Sequence, residues 1–276
     1  MMNVIKIGGA AGIGIEDVVR ELAQRHQAGE HFVLVHGGSD AATRLGEELG
    51  HPARFATSPS GHTSRLTDAR TLEIFIMATA LENRRIVSAL RAAGVSAVGL
   101  SGLDGGLIEA ERKQALRVVE AGRVRVVRDD LSGRPTRANG ALLESLLAAG
   151  HVPVIAPVGG TKEGQALNID GDRAAAVIAS ALRATNLMLL TAVPGVLREF
   201  PDESTRIDHV ALSEIGDLLE LAAGRMKKKV LGAREALDAG VRRVIIAAAT
   251  GESPIQSALS GNGTVIGEPC LREVQA

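Results

Sequence analysis

Short apolar runs alternate with longer helical stretches along almost the whole chain, and the first two runs each end in a pair of glycines. That alternation restricts the fold to α/β, with a mostly parallel sheet covered by helices, because parallel strands need long crossovers and helices supply them. Residues 4–7 form a first strand ending at Gly8-Gly9, and residues 32–35 a second ending at His36-Gly37-Gly38. A helix is expected from about Ile15, with Glu16 and Asp17 in its first turn, where the dipole favours acids. Ser39 or Asp40 can cap the next helix, and Thr67 or Asp68 a long one over residues 68–93. Further strands are expected at 95–100, 152–157, 187–191, 243–247 and 264–266, the last closing the sheet. Helices are expected at 138–149, 172–182, 212–221 and 225–239. Residues 116–119 and 124–127 flank Ala121-Gly122 and read as a β-hairpin, after which Arg134-Pro135 leads back to a helix. No repeat or linker interrupts the pattern. A glycine cluster at 158–165 marks the best boundary between two lobes on one continuous sheet.

Composition excludes several function classes. At 276 residues and 45% hydrophobic content, the chain can bury a sizeable core. A net charge of −1 gives no overall field for nucleic acid. Cys270 is alone, which forbids an intramolecular disulfide or a cysteine metal cluster and fits a reducing cytoplasm. The first residues lack the apolar region of a signal peptide, and no apolar run approaches the roughly 20 residues that cross a bilayer. Trp and Tyr are missing and Phe occurs four times, so a bound ring would rest mainly on aliphatic walls.

The positive charge is written almost entirely as arginine: six lysines stand against twenty-five arginines. Four of the six lysines fall in two short stretches, Lys6-Ile7-Gly8-Gly9 and Met226-Lys227-Lys228-Lys229-Val230. A compact ammonium suits a moving phosphoryl group, whereas a guanidinium suits a fixed planar fork.

Each stretch has a structural reading beside the functional one. Gly-Gly after a strand is either a tight turn or a cradle whose amides and following helix dipole hold an anion. Neither pair belongs to a dinucleotide-binding fingerprint or a Walker A loop. Lys6 interrupts an apolar strand, as an edge lysine that deters aggregation or as a phosphate ligand at the strand end. Asp170 and Asp172 flank Gly171 ahead of an alanine-rich helix, as simple caps or as a carboxylate that holds two lysines. Three consecutive lysines spread about 100° apart on a helix and cannot all face one ligand. Lys229 shares a face with Met226. The segment 58–68 is dense in hydrogen-bonding groups, either as a capped loop or with Arg65 clamping a carboxylate. His62 is a lone histidine in it, and no ligand spacing suggests a protein-held metal.

Taken together, these residues resemble the amino-acid kinase superfamily and, within it, the acetylglutamate kinase family. Lys6-Ile-Gly-Gly, His36-Gly37-Gly38, Ser64-Arg65-Leu66-Thr67-Asp68, Asn168-Ile169-Asp170-Gly171-Asp172 and Met226-Lys227-Lys228-Lys229-Val230 occur in the family's order over essentially the whole chain. The resemblance implies a three-layer αβα sandwich forming a single domain over residues 1–276. Residues 1–160 would bind the acceptor and dimerise, and residues 161–276 would bind nucleotide. It implies ATP and Mg²⁺, with Lys6 and Lys229 stabilising the transferring phosphoryl group, Asp172 organising both, and Gly9 and Gly38 donating amides to it. Gly8, Thr191 and Met226 would complete the nucleotide site. Gly37, Gly38, Arg65 and Asn168 would bind the acceptor, with Arg65 and Asn168 on its α-carboxylate side.

The segment 58–75 is similar to the branch acting on L-2-aminoadipate, with carrier-linked glutamate as a further acceptor. There the acceptor rides on a small acidic amino-group carrier protein in lysine biosynthesis. N-acetylglutamate kinase activity in arginine biosynthesis is the alternative. One departure stands out: acetylglutamate kinases commonly carry Asp where this chain has Ala192. The chain begins at its first strand, without the extra helix of hexameric members, so a homodimer is expected. Arg117, Arg123, Arg125, Arg128, Arg134 and Arg137 crowd the hairpin and its surroundings, with Glu120, Asp129 and Asp130 as counter-charges. That face either is simply solvated or docks the carrier.

Overall fold

A computed structural model describes residues 1–9, 13, 15–59, 61, 63–120 and 123–270. Ser60 and His62 of the polar loop, and the Ala121-Gly122 turn, lie outside the described residues. The first half contains β1 (Met2–Ile7), α1 (Ile15–Gln27), β2 (His31–His36), α2 (Ser39–Glu48), β3 (Phe55–Thr57), β4 (Thr63–Arg65), α3 (Ala69–Ala92) and β5 (Ala97–Ser101). Next come β6 (Ile108–Arg112), β7 (Leu116–Glu120), β8 (Arg123–Val127), β9 (Ser132–Ala138), α4 (Gly140–Ala148) and β10 (Val152–Ala156). The remainder is β11 (Val158–Gly160), β12 (Ala166–Ile169), α5 (Gly171–Ala181), β13 (Asn186–Thr191), β14 (His209–Val210), α6 (Ile215–Leu221), α7 (Gly224–Asp238), β15 (Arg243–Ala248), α8 (Pro254–Leu259) and β16 (Thr264–Gly267).

Eight strands form the main sheet in the order β14-β16-β15-β13-β1-β2-β10-β5. All neighbours run parallel except β15 and β16. Alternation along each strand divides the core into two layers. Val4, Val33, Leu187 and Val244 pack with α4 to α7, while Ile5, Leu34, Met188 and Ile245 pack with α1, α3 and α8. This is the expected three-layer sandwich. β1 sits between β2 and β13, so both halves of the chain meet along it.

Several local expectations need correction. Residues 264–266 do not close the sheet: β16 turns antiparallel to β15, and the short β14 pairs outside it. Arg134-Pro135 lies inside β9, which the pattern did not reveal as a strand. Pro135 is placed opposite Ala110 where the β6–β9 register shifts, a position that tolerates a residue with no N–H to donate. The glycines at 158–165 belong to a β11–β12 hairpin, which with β6 and β9 closes a small four-stranded barrel. Residues 212–214 form a 3₁₀ turn that precedes α6. The predicted hairpin is present as β7–β8 and joins β3 and β4 in a separate four-stranded sheet.

Candidate active site

Lys6 is a central-strand residue, which rules out the edge-strand reading. It shares a face with Val4, so its side chain enters the layer holding α5 and α7. Its stem passes over Gly171, where an added Cβ would lie 3.3 Å from Lys6 Cε. Its ammonium reaches Asp172 Oδ1 at 2.7 Å. From α7, the Lys229 ammonium donates to Asp172 Oδ2 at 3.0 Å and to Oδ1 at 3.3 Å. All three side chains are buried. Alanines 174–176 on α5 and Ala233 and Ala236 on α7 are fully packed, and such short side chains let the two helices approach closely.

Capping and charge-holding fall to different aspartates. Asp170 is the N-cap of α5 and accepts from the amides of Asp172 and Arg173 at 3.0 and 3.2 Å. Asp172 is thereby left to the lysines. Burial alone would raise its pKa; the ammonium groups of Lys6 and Lys229 outweigh burial and hold the carboxyl well below the usual range. Burial and the like charge of Lys6 pull Lys229 below the ordinary lysine pKa, against the pull of Asp172. Two cations share one anion, so the cluster has an excess of positive charge directed at an incoming anion.

The glycine turns touch each other through backbone. A Cβ on Gly9 would fall 2.3 Å from Gly38 N, and one on Gly37 2.3 Å from Gly9 N. A Cβ on Gly38 would strike Thr79 of α3 at 2.5 Å. Gly8 N–H donates to Leu190 O and Gly37 N–H to Ile7 O, both at 2.9 Å, so these two glycines shape the turns rather than offer donors. The amides of Gly9 and Gly38 have no acceptor among the described residues. Neither Ser39 nor Asp40 caps α2; Gly38 occupies the cap position without a side-chain bond, and the Asp40 amide donates to Gly9 O at 3.0 Å.

Beneath the second turn lies an arrangement that the sequence did not disclose. His36 is buried, its Nδ1 donates to Gly37 O at 2.7 Å, and its Nε2 accepts from Asn83 Nδ2 at 3.2 Å. Asn83 also donates to Val154 O at 2.8 Å. Burial lowers the His36 pKa to about 4, against the pull of the Gly37 carbonyl and Glu82, so the ring is neutral at ordinary pH.

Arg65 and Asn168 are close by but already engaged. Arg65 Nη2 donates to Ser39 O and Thr43 Oγ1 at 2.8 Å, and the guanidinium stacks 4.9 Å over Phe55. Asn168 Nδ2 donates to Thr67 Oγ1 at 3.0 Å. Thr191 is buried at the end of β13, and half-buried Met226 packs against the α5–α7 core layer. The three lysines on α7 diverge, as their spacing requires: Lys229 meets Asp172, while Lys228 reaches Thr63 O and Ser64 Oγ on β4. A cavity of ≈ 660 Å³ lies elsewhere, between β3, the start of α3 and β7–β8.

The profile described as the Amino acid kinase family matches residues 1–248. The chain is 50% identical, over 96% of its length and 91% of the relative's, to the [LysW]-aminoadipate kinase of Deinococcus radiodurans. It is 47% identical to the enzyme of that name from Thermus thermophilus, over 96% of this chain and all (100%) of that one. An acetylglutamate kinase of Methanopyrus kandleri is 38% identical, over 96% and 100% of the two chains. Among solved structures, N-acetylglutamate synthase from Neisseria gonorrhoeae superposes with a TM-score of 0.77 at 25% identity, covering 97% of this chain and 59% of that one.

Proposed function

We propose, from the premise that the chain belongs to the amino acid kinase family, that it phosphorylates the side-chain carboxylate of carrier-linked L-2-aminoadipate in lysine biosynthesis. The observation that carries the chemistry is the convergence of Lys6 and Lys229 on Asp172 beside two glycine turns with open amides. The acceptor preference follows the relatives: 50% and 47% identity to kinases named for carrier-linked aminoadipate, against 38% to an acetylglutamate kinase.

An acceptor carboxylate is already ionised, so the reaction needs no general base. A carboxylate oxygen attacks the γ-phosphorus of ATP, the bond to the β–γ bridging oxygen breaks, and ADP leaves with that electron pair. What the protein supplies is alignment and charge neutralisation. Lys6 and Lys229 neutralise the transferring group, and the amides of Gly9 and Gly38 receive its oxygens. Asp172 holds the two ammonium groups apart at fixed positions. Its carboxylate is engaged by lysines, so Mg²⁺ would arrive on the phosphates of ATP, where it supplies charge neutralisation. Thr191 and Met226 would border the nucleotide, and Arg65 and Asn168 the acceptor. In this reading residues 161–276 hold nucleotide and residues 1–160 hold acceptor. The enzyme would work in the cytoplasm as a homodimer, and Met77 and Leu81, exposed one helical turn apart on α3, suit such an interface.

A paired turnover assay with carrier-linked aminoadipate, carrier-linked glutamate and N-acetylglutamate tests the assignment. Aminoadipate on its carrier is expected to give the highest kcat/KM; a preference for N-acetylglutamate would overturn it. Lys6→Ala and Lys229→Ala are each expected to lower kcat by more than about 100-fold. Near-normal turnover in either variant would remove that residue from the site.

A further inference from the structure

A fifth lysine belongs to this neighbourhood. Lys113 follows β6, and its amide donates to Ser132 O at 3.1 Å, which ties it to the start of β9. Ser132 is in register with Asn168 on β12, just ahead of the Asp170–Asp172 turn. The Lys113 side chain is half-buried. Around it lie Asp130, Asp170, Lys228 and Arg173, and each of these already has a protein partner. Asp130 accepts from the amides of Thr67 and Ser132 at 2.9 and 2.8 Å. Asp170 caps α5, Lys228 holds β4, and Arg173 is paired with Glu235. Among the described residues, no acceptor lies within bonding distance of the Lys113 ammonium. Burial lowers its pKa; Asp130 opposes that, while Lys228 and Arg173 add to it, so the ammonium gains from any further negative charge nearby. The buried Ser132 hydroxyl beside it also lacks a hydrogen-bond partner.

An amino acid joined to a carrier through its amino group keeps its α-carboxylate after the side-chain carboxylate has been committed to reaction. The groups expected to receive that second anion are partly engaged: Arg65 by Ser39 and Thr43, Asn168 by Thr67. We propose that Lys113 binds the non-reacting carboxylate of the acceptor and so sets specificity on the acceptor side of the site. The inference rests on the kinase reading above, yet it is tested through binding as well as through turnover.

The probes are N-acetyl-L-2-aminoadipate and its α-amide, which removes only the α-charge. Calorimetry on the full-length protein is expected to show the acid binding at least about tenfold more tightly than the amide. In Lys113→Met that preference collapses, while Lys113→Arg keeps most of it. In turnover with carrier-linked acceptor, Lys113→Met raises KM for acceptor and leaves kcat and KM for MgATP near the wild-type values. Three results would overturn the proposal: an undiminished acid preference in Lys113→Met, a wild-type protein that binds neither probe, or a KM effect confined to MgATP. Absence of turnover with every acceptor would defeat the kinase reading, and the binding comparison would still decide the role of Lys113.

Discussion

Neutral His36 under the second glycine turn carries a specific pH dependence. Its Nε2 faces the Asn83 amide as an acceptor, so a proton there would set donor against donor in a buried site. The folded pKa of about 4 lies below the ordinary 6.5. The unfolded chain therefore binds the proton first as pH falls. The stability carried by the neutral ring is complete above about pH 6.5 and is lost as pH falls towards 4. Full loss corresponds to about 3 kcal/mol. Denaturant titrations of wild type and His36→Gln across that window are expected to show a shallower decline in the variant; parallel curves would sink the idea. His36 was legible only as the residue before two glycines, because its partner Asn83 lies 47 residues away on a helix that gives no local sign of the contact. Lys6, Asp172 and Lys229 were legible because scarce lysines mark their own positions. Lys113 obeyed the same scarcity and was overlooked because no glycine pair or acidic turn adjoins it.

Elements depend on contacts that periodicity cannot show. α8 has only six residues, and Ser253 at its cap makes no side-chain bond. Glu21 on α1 performs that task across the fold, accepting from the amides of Ile255 and Gln256 at 2.6 Å while Arg25 holds the carboxylate at 2.9 Å. Glu21→Ala removes two charge-assisted bonds and is expected to cost about 2 kcal/mol. For a chain of this size that lowers Tm by about 5 °C. A Tm within a degree of wild type would show that α8 holds without the brace. Strong local signals placed the main elements well: β1, β2 and β13 as apolar runs, and α3 by Asp68, which accepts from Thr71 N at 2.8 Å. β6 and β9 escaped because 108–112 carries three charged residues and 132–138 mixes glycine, proline and charge, and pairing within the barrel makes them strands.

On the scale of the whole molecule, the β3-β4-β7-β8 sheet stands apart from the main sheet and carries Arg123 and Arg125 on an exposed strand. Val124 and Val126 are exposed as well but alternate to the other side of the strand, so Arg123 and Arg125 share one face. Docking of an acidic carrier on this face predicts association that weakens with salt. Changing Arg123 and Arg125 to Glu is expected to raise KM for the carrier-linked acceptor about tenfold or more at low ionic strength, with KM for MgATP unchanged. A KM that ignores both salt and charge reversal would leave the face merely solvated. The position of β1 has a temporal consequence. Its partner β2 follows close behind in sequence, whereas β13 emerges from the ribosome some 180 residues later, roughly ten to forty seconds at ordinary translation speeds. Until then one rim of the nascent sheet is bare, and the Lys6 amine has no counter-charge to meet. The bare edge of β1 gives a chaperone something to hold through that interval.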